Sequence, residues 1–210
     1  QFASSAASDV YKRQGLMGSG IAAQVANAGF PVTLLDIVPD GATNRNVIAD
    51  SAVRKMLKPV KLGSPAPLMH KKNAKLITTG NIDDNLDLIK DADLIIEVVL
   101  ERLDVKHDVF SKIQKHRKKG SIVTSNTSTI PREQLVKGMS ESFAKDFMIT
   151  HFFNPPRYLR LLEIVSGSEV SSDKVQIVSD FCDINLGKEV VVCNDTCLLY
   201  TSDAADDANC

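Results

Sequence analysis

His151, Asn154 and Glu163 are the residues whose types and spacing most clearly permit chemistry. An imidazole exchanges protons near neutral pH, and a carboxylate bonded to one ring nitrogen fixes the tautomer and stabilises the cation. His151 ends the apolar run Phe147-Met148-Ile149-Thr150 and is followed by Phe152 and Phe153, with Asn154 three positions on and Glu163 twelve on, beyond a turn. A lone strand-end histidine is usually ordinary structure, but the apolar flank and the two polar partners favour a proton-transfer role. His70, His107 and His116 have no ligand spacing and join no compact carboxylate cluster, so no metal centre is expected.

A second constellation is Gly15-Leu16-Met17-Gly18-Ser19-Gly20, which opens an Ala-rich apolar segment ending at Gly29. In the G-x-G-x-x-G fingerprint, glycines let backbone N–H groups approach a pyrophosphate at a helix N-terminus. Gly15 and Gly18 fill the second and third glycine places, and the first falls at Arg13. Gly18 and Gly20 would equally serve close helix–sheet packing. Asp36 supplies context: it ends the next apolar run, about 20 residues on, where a carboxylate accepts the ribose hydroxyls of NAD and repels the 2′-phosphate of NADP.

Ser125-Asn126-Thr127-Ser128-Thr129 follows another apolar run, at the strand end where doubly wound sheets bind ligands. The alternative is a helix cap before Pro131, made by Ser128 or Thr129. Glu97 and Glu101 flank a further strand end and can cap, or pair with Arg102 or Lys106. Lys58, Lys61, His70, Lys71, Lys72 and Lys75, with Pro65 and Pro67, form a basic, partly irregular excursion. It is either a solvated face or a landing place for a phosphate-bearing substrate handle.

The elements that must hold these groups alternate. Gly15 to Gly29 reads as a helix with a glycine C-cap, Pro31 to Asp36 as a buried strand, and Asn44 to Leu57 as a helix. Strands are expected at Leu76 to Thr79, Leu94 to Val99, Ser121 to Thr124, Phe147 to Thr150 and Lys188 to Cys193. Between them come helical stretches at Asn81 to Lys90, Asp104 to Lys115, Arg132 to Lys137 and Lys174 to Leu186. Such repeated units predict an α/β, Rossmann-like, doubly wound and mostly parallel sheet in three layers.

The chain has 210 residues, 43% hydrophobic and 24% charged, with a net charge of −1. Bulk disorder is excluded, and no basic excess supports nucleic-acid binding. No apolar run approaches the roughly 18 residues of a membrane span, and no secretory leader opens the chain. Cys182, Cys193, Cys197 and Cys210 lack a Cys-x-x-Cys pair and read as reduced thiols of a cytoplasmic protein. Residues 1–14 and 197–210, rich in Ser, Ala and Asp, do not join the pattern of 15–196 and read as non-native or disordered tails.

With these residues in view, the chain resembles the NAD-binding domain of L-3-hydroxyacyl-CoA dehydrogenases of fatty-acid β-oxidation over residues 15–196. The resemblance rests on the glycine segment, Ile96-Glu97-Val98-Val99-Leu100-Glu101, Ser125-Asn126-Thr127-Ser128, His151-Phe152-Phe153-Asn154-Pro155 and Asp195-Thr196. It implies NAD-linked oxidation of (S)-3-hydroxyacyl-CoA to 3-oxoacyl-CoA. His151 would be the catalytic base, Glu163 its orienting carboxylate, Ser128 a contact to substrate and cofactor, and Asn154 a holder of nicotinamide and substrate. Gly15, Leu16, Met17, Gly18, Asp36, Glu101 and Lys106 match positions lining the NAD site. Ser51 and Lys58 fall near positions contacting coenzyme A. The full-length protein would be a homodimer or fused to other β-oxidation domains.

The chain departs from the family at both ends. Polar residues through Arg13 and Gln14 stand where the first strand and first glycine belong, and Cys197-Leu198-Leu199-Tyr200-Thr201-Ser202 stands where Pro-Gly-Phe-Ile-x-Asn-Arg and a helical domain follow. The first strand and the C-terminal helical domain are therefore expected to be missing or replaced. Ser202 occupies the place of a catalytic asparagine, and the chain reads as an impaired fragment. Two other readings stay open: another NAD-dependent 3-hydroxyacid or sugar-acid dehydrogenase, and a non-catalytic NAD-binding scaffold.

Overall fold

A computed structural model describes residues 2–6, 15–59 and 65–195. The sheet is eight-stranded, in the order β3-β2-β1-β4-β5-β6-β7-β8. Its first half comprises β1 (Phe2–Ala6), α1 (Gly15–Asn27), β2 (Val32–Asp36), α2 (Val47–Met56), β3 (Ile77–Asn81) and β4 (Leu94–Val98). The second half comprises α3 (Leu103–His116), β5 (Ile122–Ser125), α4 (Arg132–Val136), α5 (Glu141–Ala144), β6 (Phe147–Phe152), β7 (Leu161–Ser166), α6 (Ser172–Asp180) and β8 (Glu189–Cys193). Every strand pair is parallel except β6–β7. The expected doubly wound, mostly parallel α/β sheet is what forms.

The first strand is a correction. It is not missing: Phe2–Ala6 lies between β2 and β4, with Ser5 opposite both Leu35 and Glu97 and Ala6 opposite Val98. The segment lacks the apolar run expected of a central strand. Parallel pairing, however, is made by backbone N–H and C=O groups, which every residue but proline supplies whatever its side chain. Residues 7–14 and 196–210, with Arg13, Cys197, Ser202 and Cys210, lie outside the described residues.

Strand parity sorts the core into two layers. Leu94, Ile96 and Val98 of β4, Met148 and Phe152 of β6, and Leu162 and Ile164 of β7 pack with Ile21, Val25, Ala49, Met56 and Val178 of α1, α2 and α6. The alternate residues Ile95, Val123, Phe147, Ile149 and Val165 pack with Val109, Phe110, Ile113, Leu135 and Phe143 of α3, α4 and α5. Burying each of the larger of these side chains contributes about 1.5–3 kcal/mol before entropy is counted. Phe110, Phe143 and Phe147 pack with ring centroids 5.1–5.6 Å apart.

Turn chemistry fixes the joints. α1 ends where Gly29 takes φ +90°, with Phe30 N donating to Val25 O and Gly29 N to Ala26 O. This is a Schellman closure, which favours glycine because a Cβ is strained at that φ. The acid-rich Asn81 to Lys90 stretch forms a 3₁₀ turn only at Leu86–Ile89. Two asparagine side chains compete there for backbone partners: Asn81 Oδ1 accepts from Asp83 N and Asp84 N, and Asn85 Oδ1 accepts from Asn81 N. The long helix expected at Lys174 to Leu186 instead spans Ser172–Asp180 and closes with a π-helical turn at Phe181–Asn185.

Candidate active site

The same parity that builds the second core layer carries the polar groups. Glu97 stands two residues from Ile95 and from Val99, Ser125 two from Val123, His151 two from Ile149 and Glu163 two from Val165, so each shares its neighbour's side of the sheet. Glu97, Ser125, His151 and Glu163 therefore share the face covered by α3, α4 and α5, toward the carboxyl ends of β4, β5 and β6. β7 runs the opposite way, so its beginning meets the end of β6.

That reversal makes His151 and Glu163 direct cross-strand partners. His151 Nδ1 lies 2.7 Å from Glu163 Oε2, and Glu163 is fully buried while His151 is 6% exposed. The Phe153 ring packs against the imidazole with centroids 4.5 Å apart. A buried carboxylate at Nδ1 selects the tautomer protonated there and makes Nε2 the nitrogen suited to accept a proton.

Glu97 is the hub of an adjacent network. Its carboxylate accepts from Lys106 Nζ at 2.9 and 3.1 Å, from Ser125 Oγ at 2.6 Å and from Val99 N. Of the two cations open to it in the sequence, Lys106 is the partner, and Arg102 pairs with Asp104. Lys106 is itself 1% exposed and also lies 3.3 Å from Glu101.

Glu101 continues the chain of contacts into the loop after β5. Its Oε1 accepts from Ser128 N at 2.9 Å, Thr129 N at 3.0 Å and the hydroxyls of Thr127 and Thr129. Burial pushes this carboxyl up, but Lys106 and the bonds from Thr127, Thr129 and Ser128 outweigh it and hold the carboxyl below its ordinary value. The Ser125–Thr129 loop is thus positioned by Glu101. It does not cap α4, whose Arg132 N and Glu133 N donate to Asp195. Asn126 ties this loop to the histidine strand, because its Oδ1 accepts from Phe152 N and its N donates to Glu97 O.

The remaining expected residues are more dispersed. Asp36 ends β2, 3% exposed, with Oδ1 accepting from Ile37 N at 2.8 Å. Gly15, Leu16, Met17 and Gly18 form the first turn of α1, and Asn154 is exposed beyond β6. The strand order reverses between β1 and β4, and there such sheets take a dinucleotide, with α1's N-terminus facing the pyrophosphate and a carboxylate at the end of β2. The described residues fit that group. Gly20 packs not against the sheet but against the turn after β6: a Cβ there would lie 3.1 Å from Pro156 Cγ and Cδ, so the Asn154-Pro155-Pro156 turn seats directly on α1.

Ser51 lies on α2, accepting from Arg54 Nη2, and Lys58 is exposed just beyond it. α2 packs beside β2 and β3, whereas β6 lies four strand spacings from β2, about 19 Å away. The fold does not bring either residue to His151. The basic excursion is exposed at Lys58, His70, Lys71, Lys72 and Lys75, and Asn27 anchors it to α1 through Pro67 O, Met69 N and Asn73.

Lys188 escaped the sequence reading. It is 2% exposed, and its Nζ donates to Pro156 O and to Leu159 O, with the Phe152 ring 5.7 Å away. It thus bolts the turn after β6 to the start of β8. Burial lowers its ammonium to about 8, partly opposed by Cys182. The only signal in the sequence is a lysine at the mouth of the apolar run Glu189–Cys193, where an unpartnered charge would be costly.

Comparison with known proteins identifies the family and the fold. A family described as "3-hydroxyacyl-CoA dehydrogenase, NAD binding domain" matches residues 14–196. A probable 3-hydroxyacyl-CoA dehydrogenase of Deinococcus radiodurans is 45% identical over 181 residues, which are 86% of this chain and 51% of that protein. A putative fatty acid oxidation complex trifunctional enzyme of Rickettsia felis is 42% identical over 182 residues, 87% of this chain and 25% of that protein. Among solved structures, FadB2 of M. tuberculosis superposes with a TM-score of 0.73 at 25% identity, covering 93% of this chain and 64% of that one. (S)-3-hydroxybutyryl-CoA dehydrogenase PaaH1 of Ralstonia eutropha gives a TM-score of 0.68 at 26% identity, covering 92% and 62%. The chain spans about a quarter to a half of the length of these curated relatives.

Proposed function

The chain belongs to the family of NAD-binding domains of 3-hydroxyacyl-CoA dehydrogenases, and from that membership we propose that it serves the NAD-linked oxidation of (S)-3-hydroxyacyl-CoA to 3-oxoacyl-CoA. The observation that carries the reading is the buried His151–Glu163 pair at the carboxyl edge of the sheet. His151 Nε2 takes the proton of the 3-hydroxyl, and Glu163 stabilises the imidazolium that forms. A bound NAD would supply the acceptor for the hydride that leaves C3. Ser128 and Asn154, on the loops after β5 and β6, would contact substrate and nicotinamide. Glu97, Lys106 and Glu101 hold the first of these loops in place.

Gly15 to Gly18 would approach the pyrophosphate, Asp36 would bind the adenosine ribose, and Glu101 with Lys106 would border the cofactor. Ser51 and Lys58 would meet the coenzyme A portion of the substrate. None of the described helices is long and apolar enough to cross a membrane. The relatives named as trifunctional enzymes favour a setting in which this domain works beside other fatty-acid-oxidation activities; the alternative arrangement is a homodimer, and the proposed location is the cytoplasm.

The test is NADH formation from 3-hydroxybutyryl-CoA, compared with free 3-hydroxyacids, in a chain lengthened to match its relatives. Oxidation of the acyl-CoA at least tenfold faster supports the assignment. Preference for the free acid would transfer it to another 3-hydroxyacid dehydrogenase, and tight NADH binding without turnover would make it a scaffold.

A further inference from the structure

We propose that Asp84 is a second determinant of NAD over NADP, because it holds Arg45, the one basic residue between β2 and α2, in a two-pronged ion pair. The inference rests on the reading that the adenosine ribose lies at Asp36. Versions of this fold that take NADP place an arginine near the end of β2 to receive the 2′-phosphate. This chain has such an arginine, and the structure shows where its charge goes. Arg45 Nε lies 2.5 Å from Asp84 Oδ2 and Nη2 lies 3.0 Å from Asp84 Oδ1, so one edge of the guanidinium fork is occupied.

The pair sits beside Asp36. Asn81 is Asp36's partner in the β2–β3 ladder, and Ile82 N donates to Asp36 O. Asn81 Nδ2 donates to Asn46 Oδ1 at 2.6 Å, next to Arg45 in the chain, and to Asp84 Oδ2 at 3.0 Å. Asp84 N in turn donates to Asn81 Oδ1 at 2.7 Å. One buried asparagine, 2% exposed, therefore fixes the loop after β2 and the turn after β3 around the end of β2. The bonds from Arg45 and Asn81 hold the Asp84 carboxyl below its ordinary value, and Asp83 adds a second negative charge near the guanidinium. A 2′-phosphate arriving here would meet Asp36 and would also have to draw Arg45 off Asp84.

Both side chains are about half exposed, at 50% and 46%, so the effect is modest. NADH and NADPH affinities would be measured by calorimetric titration for the full chain, Asp36→Ala, Asp36→Ala/Asp84→Asn, and Asp36→Ala/Asp84→Asn/Arg45→Gln. Asp84→Asn keeps an oxygen for Asn81 while losing the charge, and NADH affinity reports that each variant folds. The expected result is that Asp84→Asn tightens NADPH binding about two- to fivefold over Asp36→Ala, leaves NADH within about twofold, and loses the gain when Arg45→Gln is added. An unchanged NADPH affinity, or a gain that survives Arg45→Gln, overturns the inference while leaving the NAD site standing. A parent chain that binds no NADH overturns both.

Discussion

His151 and Glu163 stand opposite one another across the one antiparallel ladder described in the sheet, with Nδ1 and Oε2 2.7 Å apart and the carboxylate shut from solvent. A pair joined by two rigid strands needs no loop to close and no side chain to be recruited. Its geometry is fixed before any ligand arrives, which is the condition under which a carboxylate lowers the cost of forming an imidazolium.

Replacing His151 by Gln is expected to leave NADH binding within about twofold and to reduce turnover about 10²- to 10⁴-fold. Glu163→Gln acts in the same direction by a smaller factor, since it removes the charge but retains an oxygen at Nδ1. The measurement is turnover at saturating 3-hydroxybutyryl-CoA in a lengthened chain. Undiminished turnover in His151→Gln would require a different base.

Glu97 and Lys106 are 0% and 1% exposed and depend on one another. Either Glu97→Gln or Lys106→Met leaves one charge buried without its principal partner and is expected to cost about 3–5 kcal/mol in urea unfolding. The double variant is expected to recover at least half of the summed loss, because neither Glu97 nor Lys106 is then left as an unpaired buried charge. Simple additivity of the two losses would show that the pair is not coupled.

Lys188 gives a pH dependence whose sign follows from its lowered value. With the folded group at about 8 and the ordinary value 10.5, the unfolded chain binds more protons between those limits. Stability from this group therefore rises with pH across that window, by no more than about 3 kcal/mol, and shows no slope below it. Urea midpoints of the parent and Lys188→Met at pH 7, 8.5 and 10 test this. The parent should gain on the variant as pH rises, and parallel profiles would contradict the assignment.

Cys182 is 1% exposed, and burial pushes its thiol up to about 12. Brief iodoacetamide treatment of the native protein at pH 8, read by peptide mapping, is expected to leave Cys182 at least tenfold less modified than after unfolding. Equal labelling in both states would mean that the contact between the Phe181–Asn185 turn and the sheet opens readily.

Several elements were legible because their cause is local. Gly29 was readable as the end of α1, since a left-handed cap favours glycine, and the apolar run before Asp36 was readable as a buried strand. Phe2–Ala6 was not, because its place in the sheet follows from backbone bonds to β2 and β4, which leave no periodicity in the residues themselves. Lys106 and Lys188 look like surface lysines in the sequence. Their burial depends on partners contributed by distant parts of the chain, Glu97 from β4 and the carbonyls of Pro156 and Leu159.

The sequence by itself determined the alternation of strands and helices, the acid at the end of β2 and the histidine at the end of β6, because hydrophobic period and turn chemistry act between near neighbours. Only the tertiary structure decided which groups meet. The reversal of β7 set Glu163 against His151, strand parity gathered Glu97 and Ser125 onto their face, and the packing of two loops gave Arg45 to Asp84. A strand's residues specify which side is buried. Its neighbour and direction are fixed by backbone pairing across the sheet, and that register places one side chain within bonding distance of another.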